Sequence, residues 1–183
     1  RLATGAVHSH LLRQGLRSYT SINVRSAECL DTHYFAVLIG VGATTVNAYL
    51  AQDCIADRHA RGLFGNTPLG DCVKRYLDAV SAGLLKIISK MGIAVISSYR
   101  GAYLFEAVGL SRSMVAQIFP GMQSRISGIG LTGIAARTAR LHARAFDEDV
   151  IALPVGGFYK ARIGGETHGH SAHLIHLLQS AVA

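Results

Sequence analysis

The stretch 31-DTHYFAVLIGVGATTVNAYL-50 decides the fold class of this 183-residue chain. Its apolar run predicts a helix from His33 to Val41, and Gly42 is a typical residue for ending it. Ala43–Leu50 then has the β-branched content and the bounding glycine of a short strand. An alternating stretch upstream, Tyr19–Val24, predicts another strand. Strands that alternate with helices at this spacing are typical of parallel βα units, so the sequence predicts an α/β fold.

The same region contains the longest uncharged run of the chain, Tyr34–Ala51. Its 18 residues reach the length at which a membrane-spanning helix becomes possible. Glycine, threonine and asparagine interrupt the middle of the run and reduce its hydrophobicity. We therefore interpret it as buried core and expect no membrane association.

Pro68 separates two kinds of predicted structure, with βα alternation before it and mostly helices after it. The strongest helix prediction is Asp71–Met91, where apolar residues recur every three or four positions. The other predicted elements are helices at Ala6–Leu16, Gln52–Arg61, Ala102–Val108, Ser111–Phe119, Leu131–Phe146 and His173–Val182, a short strand at Ala94–Ser97 and an extended segment at Leu153–Arg162. The predicted domains are accordingly residues 1–67 and 68–183.

Composition and charge exclude some classes of protein. Half of the residues are apolar and 16% are charged, which excludes a disordered chain. The net charge of +7 and the pI near 9.7 raise the question of nucleic-acid binding. The basic residues are nevertheless scattered, apart from a stripe at Arg137, Arg140 and Arg144, which we interpret as a solvated helix face. Aromatic residues do not alternate with them as base stacking requires, so we expect no nucleic acid as a partner.

Cysteines and histidines give no metal-binding pattern. Cys29, Cys54 and Cys72 lack the spacing of a zinc site or a disulfide framework, which favours a reducing compartment such as the cytoplasm. His8 and His10 are predicted to be helical, where residues two apart point in different directions. The C-terminal histidines, His168, His170, His173 and His176, have no acidic or thiol partner at ligand spacing. No metal site is predicted.

Two arginines beside glycine-containing segments are the remaining candidates for binding. Arg100 in Ser98–Gly101 and Arg125 in Ser124–Gly130 could present a guanidinium to an anion, or could hold a loop to a nearby carboxylate. Glu106 lies in an apolar segment predicted to be helical, and it needs a cationic partner if buried, either Arg100 or Arg125. We therefore treat Arg100, Glu106 and Arg125 as candidate interface or anion-contacting residues. The sequence shows no catalytic constellation.

A series of motifs in fixed order resembles the large (alpha) subunit of glutamate synthase. The motifs, which run nearly end to end, are Ala6–Arg17 (AVHSHLLRQGLR), His33–Gly40, Gly42-Ala43, Val46–Leu50, Gly83–Ile93, Ser98–Ala102, Phe105–Leu110, Ser124–Ile126, Gly128–Gly130, Gly164–Glu166 with His168, and His176–Gln179. Each motif alone is a weak signal, whereas their common order is specific.

The resemblance implies a position within a larger enzyme. It places the first part of the chain at the end of the family's central domain, a reduced TIM-like (βα) barrel. The rest of the chain would then be a mostly helical segment that leads into the start of the FMN-binding domain. The whole enzyme would convert glutamine, 2-oxoglutarate and reductant into two glutamates, an oxidoreductase step of ammonia assimilation and glutamate biosynthesis. FMN and a 3Fe–4S cluster would be held elsewhere in the subunit, since Cys29, Cys54 and Cys72 do not have the cluster spacing.

The resemblance also implies partners for the chain. These are the glutaminase and FMN domains of the same subunit, with a small reductase subunit or ferredoxin as electron source. The chain opens on Arg1 inside a helical pattern, so we expect it to be a segment of a longer protein and to be inactive alone. The alternative hypothesis is a stand-alone basic module that binds acidic protein or nucleic acid, based on the charge of +7.

Overall fold

The structure, a computed structural model, describes residues 1–150, 155–157 and 161–182. Its helices are α1 (Leu2–Arg13), α2 (Thr32–Gly40), α3 (Tyr49–Ala60), α4 (Leu69–Lys90), α5 (Ile96–Tyr99), α6 (Arg112–Ile118), α7 (Leu131–Ala145) and α8 (Ala172–Val182), and Arg17–Tyr19 forms a 3-10 turn. Its strands are β1 (Asn23–Arg25), β2 (Thr45–Asn47), β3 (Glu106–Leu110) and β4 (Gln123–Ile129). The chain divides into two compact units, residues 1–133 and 134–183.

The first βαβ unit confirms the predicted parallel α/β fold. β1 and β2 pair in parallel with Val24 opposite Val46, and α2 connects them. The helix begins where predicted because the Asp31 side chain accepts a hydrogen bond from the Tyr34 backbone N–H at 2.9 Å. Part of the uncharged run that contains α2 is buried, as expected of core. No helix among the described residues is long and apolar enough to span a membrane.

A second parallel unit, β3–α6–β4, follows in the same part of the chain. Val108 lies opposite Ile126 and Leu110 opposite Ile129 in the parallel ladder, with two register shifts along it. The strands approach so closely that a Cβ at Gly128 would overlap the Gly109 carbonyl. Glycine at position 128 is therefore a packing requirement of this sheet.

This second sheet corrects the prediction for two segments. Ala102–Val108 was expected to be helical and instead leads into β3, because the backbone of Glu106–Leu110 pairs with β4. The glycine-rich segment around Arg125 is β4 itself. The strand predicted at Ala94–Ser97 is also wrong, since Ile96–Tyr99 forms one helical turn. That turn buries Tyr99, whose hydroxyl donates to the Ala36 carbonyl at 3.1 Å.

The long helix α4 provides much of the core around the first sheet. It packs against α2 and α3, and its buried residues are Val80 and Ile88. One cluster contains Val80 with Cys29, Phe35, Leu38, Ala43, Ala48 and Ala51. A neighbouring cluster joins Ile88 to Ala36 and Tyr99. The apolar periodicity of α4 thus predicted both the element and the face that it buries. The predicted division after residue 67 separates α3 from α4, which pack together, and as a boundary between domains of a larger protein it stays a prediction.

In the second unit, α7 and α8 form where the sequence predicts them. Every residue of α7 from Ala135 onward is exposed, including Arg137, Arg140 and Arg144. The arginine stripe is therefore a solvent-facing helix face, as interpreted from the sequence. Half of the segment predicted to be extended, Leu153–Arg162, lies outside the described residues.

Candidate functional site

Three of the sequence motifs meet at one buried side chain, His8 of α1. His8 is 7% exposed, whereas His10 on the same helix is exposed. The two side chains point apart, as expected of helical residues two apart. His8 contacts the turn after α2 and the loop after α5, so distant parts of the sequence meet around it.

Arg17 is the main polar partner of this histidine. Its Nε donates to Nδ1 of His8 at 2.9 Å, and Nη2 donates to the Gly42 carbonyl at 2.9 Å. Nη1 donates to the carbonyl of Thr20 at 2.6 Å, and Nη2 also lies 3.3 Å from the hydroxyl of Thr44. The planar fork of one guanidinium therefore connects α1, the 3-10 turn and the start of β2.

Two glycines make the slot that holds the His8 ring. Gly42 has φ +114° and Gly101 has φ +69°, backbone conformations that L-residues with side chains rarely adopt. A Cβ at Gly101 would lie 2.9 Å from Nε2 of His8, and a Cβ at Gly42 would overlap the ring from another side. The glycines of the sequence motifs are thus explained by turn geometry and by the approach of one imidazole.

Tyr103 closes the cluster on the side of α6. Its ring meets the His8 ring edge-on with centroids 6.0 Å apart, and it meets the Phe119 ring in the same way. Its hydroxyl lies 3.2 Å from Oγ of Ser9, which donates to the Ile118 carbonyl at 2.7 Å. Tyr103 has φ +51°, a strained conformation for a residue with a side chain. These contacts, and a hydrogen bond from its N–H to the Gly40 carbonyl, hold it there.

The electrostatics of the cluster keep His8 neutral. Burial, followed by the positive charge of Arg17, lowers the pKa of His8 below its usual value of 6.5. Because Nδ1 accepts the bond from Arg17, the proton of the neutral ring is on Nε2. A neutral imidazole could ligate a metal, yet the described residues contain no group of three or more potential metal ligands. The hydrogen bonds of the cluster are internal, which is typical of a structural network.

The structure separates the three candidate residues into one pair and one single arginine. Glu106 and Arg125 lie on adjacent strands, with Nε of Arg125 3.8 Å from the Glu106 carboxylate. Of the two cationic partners considered for Glu106, the structure therefore selects Arg125. The Arg125 side chain is mostly exposed, so this ion pair contributes little to stability.

Arg100 is half-buried at the end of α5, beside the slot glycine Gly101. Its Nε is buried and has no hydrogen-bond partner among the described residues. A buried guanidinium N–H without an acceptor is uncommon in folded proteins and is costly. Arg100 is therefore the described residue with the clearest unmet need for an anion.

An open groove lies beside the Glu106–Arg125 pair. Its volume is about 670 Å³, and its apolar lining includes Met91, Leu104 and Phe105. Glu106, Gln123 and Arg125 supply polar groups to the same groove. The groove therefore combines an apolar floor with a rim that carries both signs of charge. It contains no nucleophile paired with a base.

These motifs and their convergence agree with a direct comparison to protein families. The family model of the glutamate synthase central domain matches residues 1–111. The chain belongs to the glutamate synthase central-domain family. The match covers α1, the first βαβ unit, α3, α4, α5 and β3, including every residue of the slot around His8.

Curated glutamate synthases are similar along nearly the whole chain. The glutamate synthase (NADPH) large chain of Azospirillum brasilense is 65% identical over 181 residues, which is 99% of this chain and 12% of the relative. The corresponding large chain of Bacillus subtilis is 40% identical over 98% of this chain. Ferredoxin-dependent glutamate synthase 2 of Synechocystis is 40% identical over an alignment that covers all of this chain and 12% of that relative. The chain spans 12% of the length of each of these glutamate synthases.

The cysteines of this glutamate synthase segment do not fit an iron–sulfur cluster. Cys29 is buried, Cys54 is exposed and Cys72 is half-buried, and none of them belongs to a group of three metal ligands within the described ranges. Burial raises the pKa of the Cys29 thiol to about 11, so it stays protonated at neutral pH.

Sequence reasoning missed the cluster around His8 in the glutamate synthase segment. It examined His8 only as a metal ligand and took Arg17 as part of a motif. The usable signal was the occurrence of a histidine in the first motif together with glycines in two later motifs. Their common contact depends on the path of the chain through α2 and α5, which periodicity does not provide.

Proposed function

We propose that the chain is a scaffold and interdomain segment of a glutamate synthase large subunit and supplies no catalytic group. The observation that carries the proposal is 65% identity to a glutamate synthase large chain over 99% of this chain. In this proposal the full subunit forms two glutamates from glutamine, 2-oxoglutarate and reductant in the cytoplasm. The segment holds neighbouring domains in the positions that this coupling requires.

The polar groups of the structure support a scaffold role. The hydrogen bonds of the His8–Arg17 network join residues within the segment and fix the path of the backbone. Arg100 is half-buried and its Nε has no partner among the described residues, and the Glu106–Arg125 pair is exposed. We propose that these three residues contact carboxylates and cations of the neighbouring domains.

The proposal assigns the cofactors and partners to the rest of the subunit. Residues 1–67 would complete the βα units of the central domain, and residues 68–183 would lead to the FMN-binding domain. FMN, the 3Fe–4S cluster and the glutaminase nucleophile would lie outside the segment. A small reductase subunit or ferredoxin would deliver the electrons, as the names of the relatives include both NADPH-dependent and ferredoxin-dependent enzymes.

A segment exchange tests the proposal. Residues 1–183 replace the matched segment of the Azospirillum large chain, and the chimera is assayed for glutamate formation with its usual electron supply. The expected result is synthesis by the chimera and none by the 183-residue chain alone under the same conditions. A chimera that folds but makes no glutamate, or robust synthesis by the chain alone, contradicts the proposal.

A further inference from the structure

The second parallel sheet has one face that the described residues leave open. The cross-strand pairs along the ladder are Glu106–Gln123, Val108–Ile126 and Leu110–Ile129, with a register shift between successive pairs. The side of the sheet that carries the side chains of Val108 and Ile126 is here called the outer face. Val108 is 64% exposed and its partner Ile126 is 61% exposed. Ala107, which points to the opposite side, is buried, and α6 contacts both strands. The sheet is therefore covered on one side only.

An open apolar face is unusual for a parallel sheet. Crossover helices normally cover both faces of such sheets, and the strands are apolar on both sides for that reason. A two-stranded sheet without such cover has little stability of its own. Single exposed leucines on helices are ordinary, whereas two β-branched side chains paired across a parallel ladder form a continuous apolar surface. The outer face therefore has the chemistry of a covered interface.

The groove beside Glu106 extends the outer face at one end. Leu104 and Met91 are exposed within it, and Glu106 and Arg125 stand at its border. Specific protein interfaces usually have an apolar centre and a polar rim. Here the rim contains one negative and one positive side chain. The charged pair limits which surfaces can lie there, because both the carboxylate and the guanidinium need complementary groups.

We propose that the outer face of β3–β4 is the docking surface for another part of the same large chain, outside these 183 residues. The occupant presents an apolar stripe to Val108 and Ile126 and complementary polar groups to Glu106 and Arg125. This inference rests on the proposed function, and the length of the relatives supports it. This sequence occurs in them together with about seven times as much additional chain, since it spans 12% of their length.

Hydrogen exchange in two contexts tests the docking surface. The amides of residues 106–110 and 123–129 are followed in the 183-residue chain and in the segment-exchange chimera. Docking predicts exchange at least about tenfold slower in the chimera than in the chain alone. Equal exchange rates in the two contexts overturn the inference. Equally slow exchange would mean that the 183-residue chain already covers the face by itself, and equally fast exchange would mean that nothing covers it in the chimera.

A matched pair of substitutions makes the test specific. Val108→Asp places a charge on the outer face, and Leu141→Asp makes the same change on α7, where Leu141 is 63% exposed. Leu141 lies one turn from both Arg137 and Arg144, so a carboxylate is well tolerated there. In the chimera, Val108→Asp is expected to abolish the added protection and Leu141→Asp to preserve it. Equal effects of the two substitutions contradict the inference.

Two further measurements separate the alternatives. In the chain alone, Val108→Asp should leave the thermal midpoint within a few degrees of its original value, because the side chain is already exposed.

Light scattering of the chain alone tests whether a second copy is the occupant. A dimer that Val108→Asp dissociates would identify a second copy and overturn the proposal. A chimera that shows the protection but makes no glutamate contradicts the proposed function and leaves the docking surface supported.

Discussion

The guanidinium of Arg17 donates from Nε to Nδ1 of His8 at 2.9 Å, and its other nitrogens reach the carbonyls of Gly42 and Thr20. One side chain thereby fixes the relative positions of three backbone segments, which contain His8, Thr20 and Gly42. Apolar packing alone tolerates small shifts between such segments, whereas a forked set of hydrogen bonds does not. We expect this relationship to govern the stability of the first unit.

Replacing Arg17 with lysine tests the role of the fork. Arg17→Lys keeps the charge but loses the planar set of donors, and it should lower the free energy of unfolding by about 1–3 kcal/mol. Urea unfolding of the chain measures the loss. Arg13→Lys is the control, because Arg13 is exposed on α1 and makes no hydrogen bond or ion pair within the described residues. Equal stability of the two variants would show that the fork is dispensable.

Gly101→Ala should destabilise the chain through the His8 slot. The alanine would have to adopt φ near +69°, and its Cβ would lie 2.9 Å from Nε2 of His8. The backbone cost and the displacement of the ring together should exceed about 2 kcal/mol. Gly62→Ala is the matched control, since Gly62 has φ +71° and open space around its Cβ position. It should cost only about 1 kcal/mol, the backbone contribution. A difference near zero between the variants contradicts the slot.

Stability should depend on the protonation of His8 in a defined direction. Its pKa is lowered in the folded state, chiefly by burial and then by Arg17, so the unfolded chain takes up the proton first. Stability is therefore complete above the unfolded pKa near 6.5 and falls as the pH decreases from there toward the lower folded pKa. Urea midpoints between pH 8 and pH 5 measure this fall.

The corresponding controls are substitutions at the two histidines of α1. His8→Asn should flatten the pH dependence although it lowers stability overall. His10→Asn is the matched substitution on the same helix, at an exposed position. A pH profile that His8→Asn does not alter would assign the dependence to another group.

Thiol labelling should distinguish the cysteines. Cys54 is exposed and should react with a chromogenic disulfide at neutral pH within minutes. Cys29 is buried and its pKa is raised to about 11, so it should react only after unfolding. Peptide mapping of the labelled chain assigns the sites. Rapid labelling of Cys29 in the folded chain would contradict the packing of the core around α2.

Local patterns were enough to predict the long elements. The period of apolar residues from Val73 to Ile88 determines α4 and its buried face, because a helix of this length has one dominant amphipathic solution. The glycine at position 42 correctly marked the end of α2. The family resemblance was likewise readable, since it depends on the order of motifs and not on their contacts.

The second sheet could not be predicted in the same way. Phe105–Leu110 contains residues that also favour helices, and a short apolar run does not distinguish the two structures. Its partner β4 is rich in serine and glycine, which have low strand propensity. The pairing arises because α6 brings the two segments side by side, a tertiary effect. The ion pair between Glu106 and Arg125 depends on that pairing, and this is why sequence reasoning left two partners open for Glu106.

We propose that this segment couples chemistry performed elsewhere in a glutamate synthase large subunit. The most direct measurement is the number of glutamates formed per glutamine consumed by the segment-exchange chimera, with 2-oxoglutarate and reductant present. The proposed coupling predicts a ratio close to two, equal to that of the parent enzyme, because released ammonia is used in the second step. A folded chimera that consumes glutamine with a ratio close to one, while the parent gives two, would contradict the proposed coupling.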